Sequence, residues 1–326
     1  MQRQVARVRS SAPLVVGMPV YNGERYVEAA IRSILDQTHG DFVLLISDNA
    51  STDRTSEICQ DLACRDRRIH YTAHVDNIGA NRNFNYVVRL ADDLYKPRWF
   101  KWAAHDDLCA PTNLEACIDV LEQEPDVVLA YPVTVLIDEH GDEIPGTCDP
   151  GPKGTESDRL ARFRDILSDE FGVFYIFGVH RMSTLSSTTL FGSHWPPDKA
   201  LASWLSLLGR FVQVPEPLFL RRTHLEQSSS LPLRAQARWS SSGLSSLVPS
   251  PVWATQAYLH GVRSAPLSAV ERRVAYWEVM RKYVDRRKWK RVLLPRRDNY
   301  LGWHGRAASV AAVELGVSHP SRNGTP

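Results

Sequence analysis

The sequence predicts an α/β protein: a mostly parallel central sheet flanked by helices, with a small helical C-terminal appendage. Three observations carry this reading. Continuous apolar runs at 14–18 and 42–47 have the character of strands buried on both faces. Each run is followed by a stretch with apolar residues at helical spacing, and the alternation repeats. Three strand ends carry polar tips, Tyr21-Asn22, Asp48 and His105-Asp106-Asp107. Open α/β sheets bind their ligands in the crevice beyond such carboxyl ends.

Taken in order, strand 14–18 leads into a helix over 24–37, where Tyr26, Ala29, Ala30, Ile34 and Leu35 share a face. Strand 42–47 leads into a helix ending near 63, with Asp53 or Ser51 placed to cap it. A short strand is expected at 69–73, a turn at 77–79 and a helix at 81–91. Residues 99–103 form the strand that ends in the acidic pair, and 113–124 the helix after it. Two strand segments, 127–131 and 133–137, precede a turn at 138–142 and a Gly/Pro-rich loop at 146–154. A helical stretch from 160, an aromatic run at 171–177, a helix at 200–208 and closing strands at 211–214 and 218–222 complete the main unit. The Ser/Pro-rich segment 228–251 reads as a linker or loop, and 253–260 and 269–283 as appendage helices.

Composition bounds the function. The 326 residues are 43% hydrophobic and 23% charged, enough for a full core. A net charge of +2 is too mild for a nucleic-acid partner. Five cysteines, odd in number and without a C-x-x-C pair, fit a reducing compartment and hence the cytoplasm. The basic, apolar start reads as a first strand, since Pro19 breaks the run and no cleavage site follows. No apolar stretch is long enough to span a bilayer.

The strand ends suggest chemistry. Asp106 and Asp107 are hard oxygen donors of the kind that hold Mg²⁺ or Mn²⁺ shared with substrate phosphates. Asp48 can read a base edge, accepting from the N3–H of uracil or thymine or from the N1–H and amino group of guanine. The alternative for each acid is a helix cap or a solvated turn. Tyr21 can stack on a base, and Asn22-Gly23 alternatively makes an ordinary turn. Neither G-x-G-x-x-G nor a P-loop is present, which excludes the dinucleotide dehydrogenases and P-loop phosphotransferases.

The segments V-G-M-P-V-Y-N-G, S-I-L-D-Q-T, S-D-N-A-S-T-D, N-I-G-A-N-R-N-F-N and A-A-H-D-D-L-C-A-P occur in that order. Together they resemble the family 2 glycosyltransferases of the GT-A fold, over residues 13–225. The resemblance implies a nucleotide-sugar donor (UDP, dTDP or GDP) contacted by Pro19, Tyr21, Asn22, Asp48, Arg82, Asp106, Arg221 and Arg222. It implies a metal held by Asp107, with Asp106 nearer the ribose or sugar and His224 on the metal or a phosphate. His105 stands where the family's D-x-D motif has its first acid. Asp198 matches the general base that deprotonates a hydroxyl acceptor, its alternative being a helix N-cap, and inversion at the anomeric carbon is implied.

Processive relatives carry Q-x-x-R-W, whereas Q-A-R-W at 236–239 is one residue short, so a single-transfer enzyme is expected. The rival readings are a catalytically inactive sugar-nucleotide-binding module and a nucleotidyltransferase, the latter lacking its basic glycine-rich loop. The chain divides into a basic tail (1–12), the transferase unit (13–225), a linker (226–252) and a basic helical appendage (253–326). Basic and apolar residues interleave over 281–297, which suits peripheral contact with the inner face of an anionic membrane or else a solvated helix.

Overall fold

A computed structural model describes residues 12–145, 149, 151–169, 172–192, 197–224, 227 and 250–284. The basic start, most of the linker, the Q-A-R-W segment, Trp195-Pro196 and the basic tail beyond 284 lie outside the described residues.

The strands are β1 (Leu14–Val20), β2 (Phe42–Asp48), β3 (Ile69–Ala73), β4 (Trp99–Trp102), β5 (Leu108–Cys109), β6 (Val127–Ile137), β7 (Val179–Arg181) and β8 (Arg210–Arg222). They form one eight-stranded sheet in the order β3-β2-β1-β4-β7-β6-β8-β5. Helices α1 (Val27–Leu35), α2 (Thr55–Arg65) and α3 (Ala80–Tyr95) connect the first four strands, which pair in parallel. Then β7 runs antiparallel to both β4 and β6, β6 pairs in parallel with β8, and β5 runs antiparallel to β8. The sheet is therefore parallel in its first half and mixed in its second.

Two expectations are corrected. The pairs of short strands at 127–137 and 210–222 are each a single strand, with a register shift between Pro132 and Thr134. Proline has no N–H to give the ladder, so it interrupts the pattern without ending the strand.

Strands β1 and β2 are buried throughout, as their unbroken apolar runs require. Leu14, Val16 and Met18 pack on one face with Val27, Ile31 and Ile34 of α1 and with α4 (Asn113–Gln123). Val15, Val43 and Leu45 pack on the other with Val87, Val88 and Ala91 of α3. Each such side chain contributes roughly 1.5–3 kcal/mol by leaving water.

Four more elements follow: α5 (Arg159–Ser168), a 3₁₀ turn (Phe174–Phe177), α6 (Met182–Ser186) and α7 (Pro197–Leu208). The last two helices, α8 (Ser250–Ser264) and α9 (Ala269–Val284), share a third core with α5 and α7. Phe163, Trp204 and Leu207 meet Tyr258, Val262, Ala275 and Val279 there.

Candidate active site

Register puts the ends of β1 and β2 together. Val20 lies opposite Asp48, and Pro19 opposite Ser47, so the first two strands end level. The loops that follow are stitched by hydrogen bonds. Asn22 N donates to Ser51 Oγ (3.0 Å), Gly23 N to Thr55 Oγ1 (2.7 Å) and Glu24 N to Asp53 Oδ2 (3.1 Å). In return, Thr52 N donates to Asn22 Oδ1 (2.9 Å) and Arg54 N to Glu24 Oε2 (2.9 Å). Asn22 adopts φ 48°, a left-handed conformation that asparagine tolerates. Its side chain thus closes the turn, while Tyr21 stands exposed at the rim.

Asp48 is buried. Its Oδ1 accepts from Ser51 N (2.9 Å) and its Oδ2 from the Tyr71 hydroxyl (2.9 Å). Burial, and then the charge of Asp48, push the Tyr71 hydroxyl up to about 12. Arg54, not Asp53 or Ser51, is the N-cap of α2; Asp53 lies one residue before it and accepts from Thr55 N (3.0 Å) through Oδ1. Burial raises its carboxyl, but its hydrogen bonds with Thr55 and Glu24 outweigh this and leave it below the ordinary value.

A second cluster forms where β4 leads into β5. Asp106 Oδ2 lies 3.0 Å from His224 Nε2, their side chains 18% and 6% exposed. Asp107 Oδ1 accepts from Arg222 N (2.8 Å). The Arg222 guanidinium is committed to main-chain carbonyls, with Nε on Asp106 O (2.9 Å) and Nη1 on Asp138 O (3.0 Å) and Glu139 O (3.1 Å). The Tyr26 ring packs against Arg222 (4.8 Å), His224 (4.9 Å) and Arg25 (5.0 Å). Arg221 lies over the Phe174 ring at 4.6 Å. Gly23 has a packing reason here, since a Cβ would come within 2.4 Å of the His105 ring.

The two neighbouring acids titrate in opposite directions. Burial opposes ionisation of Asp106, but the His105, His224 and Arg221 charges outweigh it and hold its carboxyl below the usual range. Burial, reinforced by the Asp106 charge, pushes Asp107 well above it. Among the described residues no three His, Cys, Asp or Glu side chains are gathered around one metal position. Two hard carboxylates beside an imidazole nevertheless match Mg²⁺ or Mn²⁺, which complete their shells with water and substrate phosphate.

Asp198 sits in the first turn of α7, its Oδ1 accepting from Lys199 N (2.7 Å). Burial raises its carboxyl to about 6. It makes no hydrogen bond with the acid cluster among the described residues. What connects the regions is α3. Asn83 Nδ2 donates to Ser47 O (2.9 Å) and its Oδ1 accepts from Ser47 Oγ (2.6 Å), next to Asp48. Two residues away on either side, and so on the opposite face of the helix, Asn81 Nδ2 donates to Gly192 O (2.6 Å) and Asn85 Nδ2 to Phe191 O (2.8 Å). Phe191 N completes the pair with Asn85 Oδ1 (2.9 Å). These asparagines carried no assigned role in the sequence reading. Their signal is the N-x-N-x-N spacing, which puts buried amides on a helix that would otherwise bury apolar residues. Arg82, between them, is exposed.

The family model described as glycosyl transferase family 2 matches residues 15–181. An uncharacterized glycosyltransferase of Rickettsia typhi, RT0329, is 32% identical over 130 residues, 39% of this chain and 38% of that protein. A putative teichuronic acid biosynthesis glycosyltransferase of Bacillus subtilis, TuaG, is 38% identical over 84 residues, 26% of this chain and 33% of that protein. These matches thus span only 38% and 33% of the two relatives. Among solved structures, S. aureus TarS 1–349 in complex with UDP-GlcNAc superposes with a TM-score of 0.62 at 14% identity, covering 90% of this chain and 78% of that one.

Proposed function

The chain belongs to glycosyl transferase family 2, and from that premise we propose that it moves a sugar from a nucleoside-diphosphate donor to a hydroxyl acceptor, with inversion, in building a cell-surface glycan or glycoconjugate. The observation that carries the reading is the juxtaposition of Asp106, Asp107, Arg222 and His224 where β4 and β8 end. An anionic leaving group needs cations held in place before the bond breaks, because groups already oriented cost no reorganisation in the transition state.

In this reading Tyr21 stacks on the base and Asp48 accepts from its edge, with Pro19 and Asn22 shaping that wall and Arg82 reaching in from α3. The UDP-GlcNAc named for TarS supports a uridine donor. Asp107, with Asp106 and His224, would hold Mg²⁺ or Mn²⁺, which when bound supplies positive charge to the departing diphosphate. Arg221 meets the same oxygens from the ring of Phe174. Arg222 acts indirectly, since its donors fix the backbone beneath both acids. Asp198 removes the acceptor proton through Oδ2, while Lys199 N holds Oδ1.

The basic C-terminal region adds a membrane contact to this reading. α9 exposes Val270 (62%) and Trp277 (67%), and Arg273 and Arg281 are exposed beside them. No helix of the described residues is long and apolar enough to cross a bilayer.

Thermal denaturation against UDP, dTDP, GDP, ADP and CDP, with and without Mn²⁺, tests the donor site, because a ligand of the folded state raises the midpoint. A Mn²⁺-dependent shift with one nucleotide, lost in Asp107→Asn, is expected. Absence of any shift from folded protein would remove the donor assignment.

A further inference from the structure

Lys101 is wholly buried in the middle of the sheet, between Val16 of β1 and Val179 of β7. Alternation along β4 puts it on the face that carries Trp99 and Ala103, whose core is apolar. Taking an amine out of water there is costly unless its protons find acceptors. Lys101 Nζ donates to Phe177 O, at the end of the 3₁₀ turn, and lies 5.5 Å from the centre of the Phe219 ring in β8. The preceding carbonyl, Ile176 O, lies 2.8 Å from Nε2 of His180, which is also wholly buried. Burial pushes that imidazole down to about 4, and a carbonyl only accepts, so neutral His180 donates through Nε2. Side chains of β4 and β7 thus fasten consecutive carbonyls of the turn.

The fastened turn meets β8 at two points. Phe177 stacks on Phe219, ring centroids 5.7 Å apart and planes 24° apart. The Phe174 ring centre lies 4.6 Å from the Arg221 guanidinium carbon. Residues three apart in a 3₁₀ helix eclipse one another about 6 Å along its axis, and residues two apart in a strand share a face about 6.6 Å apart. Phe174 and Phe177 therefore match Arg221 and Phe219 rung for rung, and sliding the turn along β8 would take the ring from under the guanidinium. Gly178 presses the end of the turn onto β6, since a Cβ there would come within 2.3 Å of Ala130 O.

We infer that Lys101 is a positioning residue for the donor site: by holding Phe177 O it sets the register of the 3₁₀ turn on β8, and so keeps the Phe174 ring under Arg221, the cation assigned to the departing diphosphate. The inference rests on the glycosyltransfer reading for the part that Arg221 plays, and on the packing alone for the place that Lys101 gives it. A ring engages the face of a guanidinium, whereas phosphate oxygens are met by the N–H groups in its plane. Phe174 can therefore orient Arg221 without competing for the donors that a diphosphate uses. Lys101 touches neither the diphosphate nor the acids in this arrangement and acts only through the turn.

Two measurements on the full chain test it. The first needs no ligand: in protein with isotope-labelled arginine, the Arg221 side-chain resonances, identified by their loss in Arg221→Lys, should carry an upfield ring-current shift. That shift should vanish in Phe174→Leu, which removes the ring, and in Lys101→Met, which keeps the length of the side chain and removes its amine. The second is isothermal titration with UDP in the presence of Mn²⁺. Lys101→Met should weaken binding at least about fivefold when Arg221 is present and no further when it is combined with Arg221→Ala. A merely structural loss would weaken both backgrounds alike. Should Lys101→Met fail to fold, Lys101→Leu takes its place, with the same outcomes expected. An Arg221 resonance that keeps its shift in a folded Lys101 variant would overturn the inference, as would equal weakening with and without Arg221. Absence of UDP binding by the wild-type chain would count against a uridine donor and leave the resonance shifts to decide the role of Lys101.

Discussion

At the scale of single residues, the site works by separating groups that share a chemical type. Asp106 and Asp107 are adjacent, yet cations surround the first and burial isolates the second, so one is held ionised and the other is pushed toward neutral pH. Asp198 is tuned by burial to about 6. Because its folded value lies above the ordinary carboxylate range, the fold favours the protonated form. Stability from this group is then present below about pH 4 and is lost as pH rises through 6. In the proposed role of Asp198 activity has the opposite sign, since a base must be ionised. The log of kcat/KM should therefore rise with unit slope up to about pH 6 and then level off. Asp198→Asn should reduce turnover at least about a hundredfold. At pH 8 the same variant should be more stable by roughly 2 kcal/mol in urea denaturation. A variant that loses less than tenfold in turnover would show that another group takes the proton.

Among the elements, α3 has the role least evident beforehand. Its asparagines face two ways, Asn83 to the end of β2 and Asn81 and Asn85 to the segment before α7. Asn85 both donates to and accepts from Phe191, so no apolar side chain can replace it without stranding a buried N–H and a buried C=O. Asn85→Leu should lower kcat while leaving the nucleotide-induced thermal shift intact, because it is Asn83, and not Asn85, that holds the end of β2 where the proposed donor wall lies. A loss of nucleotide binding with kcat preserved would refute this division. The turn after β1 makes a complementary case. Five cross-links hold it to the segment after β2, the His105 ring leaves Gly23 no room for a side chain, and Gly23→Ala should displace His105. The expected readout is a weaker Mn²⁺ dependence of the thermal shift with little change in the far-ultraviolet spectrum.

Across the whole molecule, the last two helices are packed into the transferase unit. Tyr258, Val262, Ala275 and Val279 complete a core whose other half is α5 and α7, and α7 carries Asp198. Leu207, 1% exposed in that core, faces the appendage side of α7. Leu207→Ala should cost about 2–5 kcal/mol, the range for a buried leucine truncated in a well-packed interior. If α8 and α9 fold with the main unit, chemical denaturation of this variant will shift a single transition. A second transition moving alone would show that the appendage is independent.

The strand-helix alternation of the first hundred residues, the polar tips of β1, β2 and β4, and the body of α7 from residue 200 were legible in the sequence, whereas its first turn, Pro197 to Lys199, was read as loop. Each depends on residues close together in the chain: a continuous apolar run marks a doubly buried strand, and a carboxylate at its end marks a ligand crevice or a cap. Tertiary structure alone decided which residues meet across distance. Asp106 faces His224, Arg222 spends its donors on main-chain carbonyls, and α3 joins the end of β2 to the segment before α7. It also merged the two halves of β6 and of β8, placed an antiparallel β7 between parallel neighbours, and closed a cavity with helices that read as an appendage. Hydrogen bonds and cavities of this kind join groups up to 118 positions apart, and their partners are set by how the layers pack, which periodicity along one segment does not encode.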